Sequence, residues 1–135
     1  MSGPVGRGKT SLMKLLVHLA PHKTNYEIFP TRNIVFKFNT SGFEVLEKYN
    51  ETKNYCFDDL GVEPTGSHYA KECNVMGEIL LSRYDLFLKN NTKTHATTNL
   101  NAQELEERYG NRVRSRMREL FNLIGFDKTC RDKRI

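Results

Sequence analysis

The sequence predicts an α/β domain built on a mainly parallel sheet. Three observations predict it. A glycine-rich loop leads into an amphipathic helix, apolar strand-like runs alternate with helical periodicity, and one of those runs ends in two aspartates. The chain has 135 residues, 38% of them hydrophobic and 27% charged, which suits one globular domain.

The loop comes first. Gly3-Pro4-Val5-Gly6-Arg7-Gly8-Lys9-Thr10-Ser11 fits the phosphate-cradling pattern G-x-x-x-x-G-K-[ST]. Gly3, Gly6 and Gly8 let the backbone curl so that its N–H groups face one phosphate chain. Lys9 can reach the β- and γ-phosphates, and the Thr10 hydroxyl can ligate Mg²⁺. Leu12, Leu15, Leu16 and Leu19 recur at helical spacing over residues 10–20, so the helix aims its positive end at the phosphates. Such loops follow a buried strand, yet only Met1 and Ser2 precede Gly3. The sequence therefore reads as an N-terminally truncated core whose first strand is absent.

The later elements follow in order. Asn33–Phe38 (Asn-Ile-Val-Phe-Lys-Phe) reads as a strand, and residues 40–49 as a short helix capped by Thr40 or Ser41, with Phe43, Leu46 and Tyr49 inward. Residues 54–58 read as a buried strand. Gly61, Pro64 and Gly66 then break the chain into a loop. Residues 69–88 form a long helix with Val75, Ile79, Leu80, Tyr84 and Phe87 on one face, and 92–98 another strand. Asn101 caps a helix over 101–109, with Glu104 three positions on, and 111–120 continues helically before a last strand at 120–126.

Several function classes drop out. No apolar run approaches the ~20 residues of a membrane helix, and no basic-then-apolar leader opens the chain. Cys56, Cys73 and Cys130 show no C-x-x-C pairing or neighbouring histidine set, which argues against zinc and suits a reducing cytoplasm. The net charge of +5 is uneven: residues 1–107 hold 12 basic and 13 acidic side chains, residues 108–135 hold 9 and 3. That asymmetry points to a phosphate-bearing partner or an inter-subunit role. His18, His22, His68 and His95 are scattered and read as structural or surface residues. Tyr26, Phe29, Phe36, Phe38 and Phe43 could stack on single-stranded nucleic acid, but core packing explains most of them better.

Tyr55-Cys56-Phe57-Asp58-Asp59 is an apolar run ending in two acids. In phosphate-loop hydrolases an acid at the end of a neighbouring strand holds the Mg²⁺ shell, at the carboxyl edge of the sheet. Asp58 is the metal residue, acting through water, and Asp59 the residue that polarises the attacking water. Two adjacent carboxylates repel one another unless a cation lies beside them. Further on, Val113, Met117, Leu120 and Ile124 form one apolar stripe. Arg112 and Arg116 flank one border of it, and Arg114 and Arg118 lie on the other side.

Asp58-Asp59-Leu60-Gly61-Val62-Glu63 resembles the second nucleotide motif of the AAA+ ATPases related to the DnaC helicase loader and the IstB transposition helper. Arg83-Tyr84, Thr97-Thr98-Asn99-Leu100 and Gly110–Met117 are similar to further motifs of that group, in the same order. The likeness runs from Gly3 to about Arg131 and implies a three-layer P-loop AAA+ core, with residues 1–135 as a partial ATPase domain. It implies ATP and Mg²⁺ as ligands, with Asn99 orienting the attacking water or contacting the γ-phosphate. It makes Arg116 a finger that reaches a nucleotide on the next subunit of a homo-oligomer, and places Arg131 where the family often has a second arginine sensor. The implied partners are a replicative helicase or a transposase-like protein, with single-stranded DNA. A helicase-loader type ATPase leads; the transposition helper and a degenerate nucleic-acid-binding module are the alternatives. A small-molecule kinase fits less well, since no arginine-rich lid follows the loop.

Overall fold

The computed structural model describes residues 26–69 and 71–121. The phosphate loop Gly3–Ser11, the helix over 10–20, Arg131 and all but the start of the strand expected at 120–126 lie outside the described residues.

The described sheet has three strands, β1 (Glu27–Pro30), β2 (Tyr55–Leu60) and β5 (Thr94–Thr98), in the order β1-β2-β5 with both pairings parallel. The predicted mainly parallel α/β architecture is what forms. Strand β2 is central and buried along nearly all its length, as a strand covered on both faces must be. A small antiparallel hairpin, β3 (Gly66–His68) with β4 (Lys71–Cys73), stands apart from the sheet.

Four described helices complete the order: α1 (Thr31–Ser41), α2 (Glu44–Lys48), α3 (Val75–Asn90) and α4 (Ala102–Leu120). Helix α1 overturns the strand expected at 33–38. Its β-branched and aromatic composition favours a strand, but Thr31, Ile34, Val35 and Phe38 are the residues that bury, at helical spacing, while Phe36 stays 48% exposed. The strand of this segment is instead β1, which starts six residues further upstream and ends at Pro30. Thr40 and Ser41 accordingly end α1 rather than cap α2, whose N-cap is Phe43 without a side-chain cap bond. Phe43, expected inward, is 55% exposed, although its ring meets Phe38 edge-on at 5.3 Å. Tyr26 and Phe38 are buried as core packing requires.

Helix α3 begins later than expected. Asn74 caps it by accepting from the Gly77 N–H, and residues 71–73 belong to β4. Val75, Met76, Ile79 and Leu80 bury against Ile34, Phe38 and Phe57 in the single described core cluster. Helix α4 opens on the reciprocal capping box foreseen for Asn101 and Glu104. The two helical stretches expected on either side of residue 110 are one run broken by a kink, where Gly110 takes φ 85. An L-residue adopts that φ only under strain, so glycine sets the bend. Beyond the bend Val113, Met117 and Leu120 bury as one stripe against the core.

Candidate functional site

The parallel pairing places the ends of β2 and β5 side by side. Phe57 lies opposite Ala96 and Leu60 opposite Thr98, so β2 carries one extra residue between them. That bulge falls on Asp58 and Asp59, facing Thr97. Asp59 takes φ 56, a conformation that aspartate tolerates better than most residues. A bulge of this kind re-aims side chains next to a site.

Hydroxyl groups hold the bulge. Thr97 Oγ1 donates to Asp58 Oδ1 at 2.6 Å and accepts the Asp59 N–H at 2.9 Å. Thr31 Oγ1, from the first residue of α1, donates to the Asp59 carbonyl at 2.8 Å. Thr98 Oγ1 donates to the Leu60 carbonyl at 2.6 Å and accepts the Leu100 N–H at 3.1 Å. Both backbone groups of Asp59 are thus fixed from different elements while its side chain is exposed. Asp58 is buried, with 8% of its surface exposed. The two adjacent carboxylates occupy different environments.

Asn99 is the first residue past β5, in the turn that the Thr98 hydroxyl closes onto Leu100. The loop after β2 meets it from the other side. Gly61 has φ 101, and a Cβ there would come within 2.3 Å of Leu100 Cδ1, so only glycine lets the two loops pack. Asp58, Asp59 and Asn99 are therefore gathered at the carboxyl edge of neighbouring parallel strands, where ligands of open α/β sheets bind.

Glu63 closes the acidic motif quoted from the sequence, but the sequence assigned it no role. It is 3% exposed, accepts the Gly61 N–H at 2.7 Å, accepts the Tyr109 hydroxyl, and lies 3.7 Å from Arg108 Nε. Its own carbonyl accepts from Arg108. Burial and the Glu63 carboxylate drive the Tyr109 hydroxyl pKa well above its ordinary value, so Tyr109 remains a donor. The loop after the aspartates is thereby tied to α4 just before the Gly110 bend.

Arg116 is not at this edge. Its guanidinium carbon lies 5.0 Å from the ring centroid of Tyr84 on α3. The residue beside Tyr84, Arg83, reaches the opposite end of the sheet, donating from Nε to Thr94 Oγ1 at 2.8 Å and from its two Nη atoms to the carbonyls of Tyr49, Glu51, Lys53 and Lys93. Arg112 and Arg118 are exposed, and Arg114 is half-buried.

The donors gathered at this edge are hard oxygen groups of the kind Mg²⁺ takes. Among the described residues no group of three or more His, Cys, Asp or Glu could hold a metal ion. A buried carboxylate beside threonine hydroxyls supplies hard oxygen ligands, and Mg²⁺ characteristically takes one or two carboxylates together with phosphate oxygens and waters. Cys56, buried with its thiol pushed up to about 12, has no place in such a set. No described helix is long and apolar enough to cross a membrane.

No protein-family model and no curated protein matches the chain. Solved structures do. The DnaC helicase loader superposes with a TM-score of 0.67 at 21% identity, over 93% of this chain and 76% of that one. DnaI superposes with a TM-score of 0.66 at 26% identity, over 92% of this chain and 70% of that one. With a parallel sheet carrying acids and a polar turn at its carboxyl edge, and with these two structures as its likenesses, the chain has a DnaC-like AAA+ fold.

Proposed function

We propose that this chain binds ATP with Mg²⁺ and hydrolyses it, as a helicase-loader type AAA+ protein that couples nucleotide state to the remodelling of a DNA-bound helicase. One observation carries the reading: Asp58, Asp59 and Asn99 meet at the carboxyl edge of adjacent parallel strands, and the hydroxyls of Thr31 and Thr97 fix the bulge that presents them. The likeness to the DnaC helicase loader supports the choice of partner.

Lys9 and the backbone of Gly3–Ser11 hold the phosphates, and Thr10 with Asp58 holds the metal shell. Mg²⁺ held there would supply charge neutralisation on the triphosphate. Asp59 takes the proton side of the attacking water, its backbone already fixed, and Asn99 orients that water against the γ-phosphate. Arg116 acts on a nucleotide held by a second copy of the chain, which accounts for its place away from its own acidic edge. Arg131 serves as a further nucleotide contact.

The test is a nucleotide titration on the chain. Retained ATP affinity that disappears in Lys9→Ala supports the reading. Wild-type chain that binds single-stranded DNA but no ATP would mean a nucleic-acid-binding module instead. For hydrolysis, Asp59→Asn should bind ATP and turn it over at least ~10²-fold more slowly.

A further inference from the structure

Arg116 is held differently from Arg83 and Arg108. Arg83 faces the Tyr55 ring too, but its donors are taken up by carbonyl and hydroxyl acceptors, and Arg108 pairs with Glu63. Arg116 instead rests on an aromatic face contributed by another helix, and among the described residues no carboxylate lies within ion-pair distance of it. The acid one turn further on, Glu119, accepts the Tyr84 hydroxyl. A ring face attracts a cation without using a hydrogen-bond acceptor, so the guanidinium donors remain for an anion.

We propose that Tyr84 is a positioning residue for Arg116. Its ring fixes the guanidinium on the α3–α4 surface. Its hydroxyl engages Glu119, which would otherwise neutralise the arginine at i, i+3 spacing. The fork of Arg116 is thereby kept for the phosphate oxygens of a nucleotide on a second copy of this chain. The proposal rests on the arginine reading above and adds the residue that prepares it. The contact also differs in kind from Arg32 over Phe36, which joins neighbours on one helix turn and orients nothing between elements.

Cation–π attraction is worth about twofold to thirtyfold in an equilibrium. Removing the arginine itself should cost far more, ~10³–10⁵ in rate. Steady-state hydrolysis by the full chain is measured for Tyr84→Leu, Tyr84→Phe and Arg116→Ala. Tyr84→Leu should lower kcat by about twofold to thirtyfold with KM for ATP unchanged, while Tyr84→Phe, which keeps the ring but releases Glu119, recovers part of it and Tyr84→Phe with Glu119→Gln recovers most. Adding Lys9→Ala chains, whose own arginine is intact, should restore turnover to Tyr84→Leu chains, because the damage lies on the donating side. A second readout is independent of hydrolysis. The NMR signals of the Arg116 guanidinium should carry a ring-current shift that Tyr84→Leu abolishes and Tyr84→Phe retains. Equal kcat in Tyr84→Leu and wild type, no rescue by Lys9→Ala chains, or an absent ring-current shift overturns the proposal. Arg116→Ala chains that turn over at the wild-type rate would remove the arginine reading itself, whatever Tyr84 does.

Discussion

Arg83→Met should be among the most destabilising single changes in this chain. Arg83 is fully enclosed, at 0% exposure, yet among the described residues no carboxylate accompanies it. Its partners are the Thr94 hydroxyl and the carbonyls of Tyr49, Glu51, Lys53 and Lys93, with the Tyr55 ring 4.9 Å from its guanidinium carbon. Burial lowers its pKa to about 10, which still leaves it a cation at neutral pH. Replacing a buried ion pair by apolar residues is often harmless because both charges leave together. Here the acceptors are one threonine hydroxyl and four backbone carbonyls, and all remain. Two of the contacts, to Thr94 and the Tyr49 carbonyl, are buried; the other three are partly open to water. Two orphaned buried acceptors at ~1–3 kcal/mol each, with the others rehydrated, give a loss of ~2–6 kcal/mol for Arg83→Met. Against a typical domain stability of ~5–15 kcal/mol, that is a large share of the whole. Arg83→Lys offers three donors from one point and should lose ~1–3 kcal/mol. Urea unfolding followed by circular dichroism reads both. An Arg83→Met chain within ~0.5 kcal/mol of wild type, inside the usual range for surface changes, would refute the claim that this guanidinium ties the loops below the sheet.

Three further outcomes are expected. Thr97→Val keeps the shape but removes the hydroxyl that donates to Asp58 and accepts from Asp59, so it should cost ~1–3 kcal/mol in a urea melt and lower ATP turnover more than ATP affinity. Burial holds the pKa of His95 below its ordinary value, so the unfolded chain binds that proton more readily than the folded one; this contribution to stability is full above about pH 6.5 and is lost as pH falls below it, and melts of His95→Gln compared with wild type should lack that acid-side slope. Cys56 is fully buried with its thiol pushed up to about 12, so it should resist a thiol reagent in the native chain and react once urea unfolds it, as peptide mass spectrometry can follow.

What the sequence made legible is what lies close along the chain. The Asn101–Glu104 box could be read because its two partners are three residues apart. The acidic end of β2 could be read because an apolar run stops there. The hydroxyls that shape this edge could not, since Thr31 and Thr97 reach it from 28 and 39 residues away and a threonine carries no periodic signature. The task of Glu63 was hidden for the same reason, its partner Tyr109 being 46 residues distant. Helix α1 shows the opposite difficulty. Ile34-Val35-Phe36-Lys37-Phe38 has the composition of a strand, and only the packing of Ile34, Val35 and Phe38 on the core, with Phe36 left outside, selects the helix. Local preference is a small term, and burial of three large side chains outweighs it.

The two ends of β2 are held by unlike means, and this has a measurable consequence. At the Tyr55 end a cation gathers carbonyls from two loops; at the Leu60 end three threonine hydroxyls hold a bulge. Six residues of strand separate these grips, about 20 Å at ~3.3 Å per residue. Changes at the two ends share no partner, so Arg83→Lys and Thr97→Val should add within ~0.5 kcal/mol. Thr31→Val and Thr97→Val should not add, because both hydroxyls grip the backbone of Asp59, one through its carbonyl and one through its N–H. Once either is lost the bulge is free to relax, and losing the second costs less; a coupling of ~0.5–3 kcal/mol is expected for such neighbours. Strict additivity of the threonine pair would mean that the bulge is imposed by the register of β2 against β5, and that the hydroxyls only decorate it.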